Sequence, residues 1–267
     1  MFKVVIPARY DSTRLPGKAL LPIAGKPMLQ WVHELAARAQ AEEVWIATDD
    51  ERIAERARAF ASPRPPQVIM TSGAHASGSD RVAEVARLRG WGERQIVVNV
   101  QGDEPLLPPQ LIRQAAELLE RFPQADIATL ATPLESAADF LNPNIVKVVA
   151  DVNQRVLYFS RAPIPATRDT NDQAAGEGTP WRGARRHVGL YAYRSGALQR
   201  MAALPVSPLE HAERLEQLRA LEAGFEIRIA DAQVAPGPDV NTEADLARVA
   251  KLLVDSRLAV PAVGGGT

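Results

Sequence analysis

From Pro7 to Lys18 the chain reads Pro-Ala-Arg-Tyr-Asp-Ser-Thr-Arg-Leu-Pro-Gly-Lys. Arg9, Arg14 and Lys18 bring guanidinium and ammonium donors, Ser12 and Thr13 bring hydroxyls, and Gly17 lets the backbone come close. Those are the donors that hold a triphosphate. The spacing is not a Walker A loop, since Ser12 stands at its first glycine and Ala19 follows the lysine, and it is not G-x-G-x-x-G. A solvated basic loop would have the same composition, but a place directly after the first strand favours phosphate.

Gln101-Gly102-Asp103-Glu104-Pro105 follows the apolar run Ile96 to Val100. A carboxylate at the carboxyl end of a strand, beside a glycine, suits a Mg²⁺ that bridges phosphates. Capping of a following helix by Asp103 or Glu104 explains the same residues equally well. A third polar stretch, Thr71 to Arg81, offers His75, Ser77 and Gly78 to a base or ribose, with Asp80 and Arg81 to orient neighbours. Ser and Asp there also suit a helix start. Farther on, Arg161 closes Tyr158-Phe159-Ser160-Arg161, His187 and Tyr191 share a strand face, and Glu210, His211, Glu216 and Gln217 fall on one predicted helix. The four histidines have no metal-ligand spacing, and these later residues carry no role by type and spacing alone.

The elements that must position these residues alternate. Strands are predicted at Phe2–Ile6 (stopped by Pro7), Val44–Ala47, Val68–Met70, Gln95–Val100 and Asp126–Thr132. Helices are predicted at Pro27–Ala39, from Asp49-Asp50 to Phe60, at Ser79–Leu88 and at Pro108–Phe122. The strands read as continuous apolar runs, so the expected fold class is α/β: three layers around a mainly parallel, doubly wound sheet, with its ligand site beyond the carboxyl ends of the strands. Val146–Ala150 and Val156–Ser160 flank Asp151 to Gln154 as a hairpin. Arg168 to Arg186 reads as an exposed, mobile loop, followed by a strand at His187–Tyr193, a helix at Leu209–Ala223, a strand at Glu226–Ile229 and a helix at Thr242–Val254 capped by Thr242. The tail from 257 to 267 is expected to be disordered. There is no internal repeat and no linker, so 1–256 reads as a single domain.

Composition narrows the function. The 267 residues carry 31 Lys plus Arg against 32 Asp plus Glu, which argues against a general nucleic-acid or membrane-surface binder. Arginine supplies 26 of the cations, the side chain suited to bidentate phosphate and carboxylate contacts. With no cysteine, zinc–thiolate sites, disulfides, Fe–S clusters and cysteine nucleophiles are excluded. No apolar run approaches the roughly 20 residues of a membrane span, and the N-terminus lacks a signal-peptide core. The expected location is the cytoplasm.

The segments Val5 to Arg9, Ser12 to Lys18 and Asn99 to Pro105 together resemble the sugar-acid cytidylyltransferases. His75-Ala76-Ser77-Gly78, Asn142-Pro143-Asn144, Val146 to Val149, Tyr158 to Arg161, His187 to Tyr191, Ser207 to Glu210 and Leu215 to Arg219 narrow the likeness to the 3-deoxy-manno-octulosonate (Kdo) branch. The likeness runs from about residue 2 to about residue 253. It implies a nucleotide-diphospho-sugar transferase-like fold with a small inserted hairpin, residues 107–217 serving the sugar acid and a homodimer. It also implies CTP and Kdo as substrates, Mg²⁺ as cofactor, and CMP-Kdo for lipopolysaccharide synthesis as product. By resemblance, Arg14, Lys18 and Asp103 are catalytic, and Ala8, Arg9, Ser12, His75, Ser77, Gly78 and Gln101 surround the nucleotide. Arg161, His187, Tyr191, Glu210 and Gln217 would line the sugar-acid pocket.

The metal would rest on Asp103 and Asn241. Asn241 stands where the family has an aspartate, in Asp239-Val240-Asn241-Thr242, so a weaker metal site is expected, with Asp239 compensating through water. Sibling readings are a cytidylyltransferase for 8-amino-Kdo or sialic acid. A different class is a non-catalytic CTP-binding regulator, against which Lys18 and Asp103 argue. The missing glycine fingerprint argues against a nicotinamide dehydrogenase.

Overall fold

Alternation inside the first strand sets the architecture. In β1 (Phe2–Ala8), Phe2, Val4, Ile6 and Ala8 enter one apolar core and Val5 enters another, so the strand is covered on both faces. A computed structural model of the chain describes residues 1–11, 15–62, 64–166 and 183–258. After β1 come a 3-10 turn (Lys18–Leu20), a small hairpin of β2 (Pro22–Ile23) and β3 (Lys26–Pro27), α1 (Met28–Arg38), β4 (Glu43–Thr48), α2 (Glu51–Arg58), β5 (Gln67–Met70), α3 (Gly78–Leu88) and β6 (Ile96–Asn99). The second half holds α4 (Pro109–Arg121), β7 (Ile127–Pro133), α5 (Ala137–Leu141), β8 (Lys147–Ala150), β9 (Val156–Ser160), β10 (Arg185–Arg194), α6 (Ser195–Ala202), α7 (Pro208–Glu213), α8 (Gln217–Glu222), β11 (Ile227–Asp231) and α9 (Glu243–Leu258).

The main sheet runs β11-β7-β10-β6-β1-β4-β5, with β8 on β10 and β9 on β8. β1 pairs parallel with β4 and β6, β4 with β5, and β11 with β7, while β10 is antiparallel to its neighbours. The chain therefore winds outward from β1 to β5, and α3 returns it to β6 on the other side of β1. The crevice between β1 and β6 is a topological switch point, where the loops leaving the strands diverge and a ligand can enter. α1, α2 and α4 cover one face of the sheet, and α3, α6 and α8 the other. A separate cluster of Ile23, Met28, Trp31, Val240, Val249 and Leu253 docks α9 against the β2–β3 hairpin and α1.

The fold is the expected mixed α/β architecture with a mainly parallel central sheet, and the β8–β9 hairpin forms as read. Several local expectations are corrected. Pro7 does not stop β1: Val5 accepts from Val100 N–H, so Pro7, two residues on, faces the same edge beyond the end of β6, where its missing N–H has no ladder partner to serve. The helix expected over Leu209–Ala223 is two helices, broken at Arg214 (φ 54°, ψ 45°), so Glu210 and Gln217 do not share one helix. Leu215 is buried at that break. The expected mobile loop gives up its last residues to β10, where Arg185 and Arg186 pair with Val148 and Lys147. Residues 168–182 of that segment and the tail from 259 lie outside the described residues. The β2–β3 hairpin and α5 escape a reading based on periodicity because they are too short to show one, and α6 follows β10 directly with no side-chain cap to mark its start.

Candidate functional site

The cleft at the switch point has a volume of about 280 Å³ and takes its walls from three strand-end loops and the segment before α9. Pro7, Ala8 and Arg9 arrive at the end of β1. Gly17 N–H donates to Tyr10 carbonyl at 3.1 Å and closes the loop. Only glycine suits that corner, with φ at +65° and the Tyr10 ring 3.3 Å from the place of a Cβ. Lys18 then opens the 3-10 turn, and its Nζ donates to Asp103 Oδ2 at 2.6 Å and to Asn241 Oδ1 at 3.4 Å. Gly102 lets the segment that carries Asp103 pass close to the end of β1, because a Cβ there would lie 3.1 Å from the Pro7 carbonyl oxygen. Asp103 is not a helix cap, since α4 begins at Pro109 with Pro108 at its N-cap. Val240 N–H donates to the Asp103 carbonyl at 3.0 Å, tying the segment before α9 to the end of β6.

The opposite wall is the start of α3. Ser77 and Asp80 form a capping box, with Ser77 Oγ accepting from Asp80 N–H. Ser77 and Gly78 line the cleft, so the positive end of the helix faces it. His75 Nε2 lies 2.6 Å from Glu84 Oε2, which fixes the ring, and Gln101 completes this side. Arg81, Ala19 and Met28 also line the cleft without having been singled out as binding residues. Arg81 is held by Thr71 Oγ1 at 2.6 Å and Asp49 at 3.2 Å.

Thus Ala8, Arg9, Lys18, His75, Ser77, Gly78, Gln101, Asp103 and Asn241 meet in one cleft, while Ser12 and Arg14 lie outside the described residues. Among the described residues no three His, Asp or Glu side chains converge as a metal cage. Asp103 and Asn241 do direct two oxygens at one cation, the Lys18 ammonium. Such a donor pair suits Mg²⁺, which takes one or two protein oxygens and completes its shell from water and phosphate.

Residues 3–229 match the cytidylyltransferase family model. A 3-deoxy-manno-octulosonate cytidylyltransferase of Thioalkalivibrio sulfidiphilus is 53% identical over 252 residues, 94% of this chain and 98% of the relative. The chain belongs to the 3-deoxy-manno-octulosonate cytidylyltransferase family. Another relative of that name, from Nitrosococcus oceani, is 54% identical over 256 residues, covering 95% of this chain and 96% of its own. The solved structure of a CMP:2-keto-3-deoxy-manno-octonic acid synthetase complexed with CTP superposes with a TM-score of 0.84 at 43% identity, covering 96% of this chain and 100% of that one.

In this cytidylyltransferase the residues expected at a sugar acid lie outside the cleft lining, on the β10 side of the sheet and around α7 and α8. Tyr191 stands opposite Asn99 across the β6–β10 ladder, and the Asn99 amide lies 4.0 Å below the place of a Gly78 Cβ. Tyr191 Oη and Asn99 Oδ1 are buried and have no hydrogen-bond partner among the described residues. His187 packs between Phe159 and Tyr191 at 4.9 and 5.2 Å, with Nε2 3.0 Å from Thr129 Oγ1. Loss of hydration, helped by Arg186, lowers its pKa to about 3, so the ring is neutral.

Arg161 spends its guanidinium on the carbonyls of Glu213 at 2.6 Å and Pro143 at 2.9 Å. Glu210 receives Arg219 twice at 2.7 Å and caps α7 through Ser207. Gln217 is buried at the start of α8. The residue that joins this half of the cytidylyltransferase to the cleft is Glu216, beside Gln217: it accepts from Ser77 Oγ at 2.9 Å and Ser79 Oγ at 3.3 Å. Lys147 is a second structural polar residue outside the expected site set. It is fully buried, and its Nζ donates to the carbonyls of Asn142, Ile145 and Arg161. A lone cation within Val-Lys-Val-Val was its signal in the sequence. Glu104 is half-buried as a residue, but its carboxyl is enclosed; burial, then Asp103 and Asp239, raise its pKa to about 8.

Proposed function

We propose that this enzyme transfers CMP from CTP to the anomeric hydroxyl of Kdo, giving CMP-Kdo and pyrophosphate for lipopolysaccharide synthesis. A bond forms between the anomeric oxygen and the α-phosphorus as that hydroxyl loses its proton to solvent, and the bond from that phosphorus to the β-phosphate oxygen breaks, its electron pair leaving with pyrophosphate. What carries the reading is the convergence of Lys18, Asp103 and Asn241 in a cleft at the switch point, reached from three distant parts of the chain. Lys18 and Arg9 put positive charge beside the phosphates, and the N-terminus of α3 adds its oriented N–H groups. Asp103 and Asn241 would hold Mg²⁺, which when bound supplies charge stabilisation at the phosphate oxygens.

Ala8, His75, Ser77, Gly78 and Gln101 surround the nucleoside in this reading, and Ser12 and Arg14 belong to the same phosphate loop. Arg161, His187, Tyr191, Glu210 and Gln217 wall the sugar-acid pocket, with the buried Tyr191 hydroxyl as a direct contact. Glu210 acts there by shaping the wall, because Arg219 already holds its carboxylate, while Arg161, bonded only to backbone carbonyls, keeps its positive charge for an acid. The reading includes a homodimer formed through residues 107–217 and a cytoplasmic location. Among the described residues no helix is long and apolar enough to cross a membrane.

The test is pyrophosphate release from CTP and Mg²⁺ with Kdo, 8-amino-Kdo and N-acetylneuraminate in parallel. Release with Kdo, lost with UTP or without metal, is the expected result. Preferred turnover of another acid would reassign the substrate, and CTP binding without release in any arm would leave a non-catalytic nucleotide binder.

A further inference from the structure

The ligand pair Asp103 and Asn241 has an electrostatic weakness, because a neutral amide oxygen brings no charge to a divalent cation. Around Asn241 the structure corrects for it. The backbone is fixed on both sides: Val240 is buried with its N–H on the Asp103 carbonyl, and Asn241 N–H donates to Asp245 Oδ2 at 3.1 Å. What stays open to choice is which end of the amide faces Lys18 and Asp103. Asn241 Nδ2 donates to Asp239 Oδ2, and that bond turns Oδ1 toward the Lys18 ammonium. The reversed amide would set a donor against Lys18 and lose the Asp239 contact.

We propose that Asp239 is a positioning residue that makes Asn241 a metal ligand, the two side chains acting as one split carboxylate. Asp239 holds the amide oxygen toward Asp103 and polarises it by accepting from its N–H, and its negative charge stands one residue-contact behind the metal. The direct hydrogen bond replaces the water-mediated compensation expected from the sequence. This inference rests on the metal-dependent nucleotidyl-transfer reading above.

Mn²⁺ binding in the presence of CTP and without sugar acid, followed by loss of the free Mn²⁺ signal in electron paramagnetic resonance, tests it apart from turnover. Asp239 is exposed, so Asp239→Asn is expected to melt like the unsubstituted protein while binding Mn²⁺ about tenfold more weakly. The exchanged pair, Asp239→Asn with Asn241→Asp, is expected to regain the affinity, since the carboxylate then ligates directly. Equal Mn²⁺ affinity in Asp239→Asn and the unsubstituted protein would overturn the inference alone, as would an exchanged pair no tighter than Asp239→Asn. No Mn²⁺ binding by the unsubstituted protein with CTP bound would overturn the metal reading and this inference together.

Discussion

Tyr191 separates a packing role from a binding role more sharply than any other side chain. Its hydroxyl is buried with no partner among the described residues, and burial raises its pKa well above the usual phenol value, with Tyr193 and Glu216 adding to the shift. A neutral hydroxyl that neither ionises nor bonds to protein is a costly way to fill space. If it served packing alone, Tyr191→Phe would be neutral or stabilising. The expected outcome is an increase in KM for the sugar acid of about tenfold, the worth of one hydrogen bond, with KM for CTP unchanged. Steady-state kinetics with each substrate varied in turn checks it. At this scale the sequence was legible where chemistry and backbone coincide. Gly17, Lys18, Gly102 and Asp103 sit where residue type alone placed them, whereas Glu210 carries a charge that Arg219 neutralises within the fold and Arg161 is tied to backbone carbonyls.

Among the elements, the β8–β9 hairpin depends on a single buried cation. Lys147 satisfies three carbonyls that belong to the turn before β8 and the end of β9. Burial lowers its pKa, with Glu213 opposing and Arg161 reinforcing the shift. Lys147→Met keeps the apolar stem but leaves those carbonyls unsatisfied, and is expected to cost about 2–4 kcal/mol. The thermal midpoint should fall, and amide exchange should accelerate over residues 142–161 more than over β1 or β4. Regular elements of this size were readable from apolar runs and caps; Ser77 with Asp80 is an example. The break between α7 and α8 was not, because it answers to distant groups: it buries Leu215 and sends Glu216 to Ser77 and Ser79.

The molecule as a whole should be sensitive to acid. Burial lowers His33 to about 4, with Glu34 opposing and Arg64 assisting, and His187 lies at about 3, both from a usual 6.5. Below pH 6.5 the unfolded chain takes up protons that the folded one refuses, so stability present above that pH is lost as pH falls toward those values. Glu104 works in the opposite sense: raised from 4.5 to about 8, its contribution is lost as pH rises through that window. Thermal midpoints are therefore expected to fall on acidification below about pH 6.5. Among the described residues neither ring nitrogen of the fully buried His33 has a hydrogen-bond partner. His33→Leu should raise stability by about 1–3 kcal/mol at neutral pH and flatten the acid limb. An unchanged pH profile in that variant would contradict the assignment.

By itself the sequence determined the α/β class and the place of the Pro7–Lys18 and Gln101–Pro105 motifs at strand ends, because apolar periodicity and strand-end motifs are local properties. Only the tertiary structure decided which charges remain available. Lys18, Asp103 and Asn241 come from residues far apart in the chain, and their meeting depends on α3 crossing back over β1 and on α9 docking beside α1. Arg161, Glu210, Glu216 and Lys147 look alike in a list of polar residues; the partners that neutralise or free them are set by long-range packing, which no short window of sequence contains.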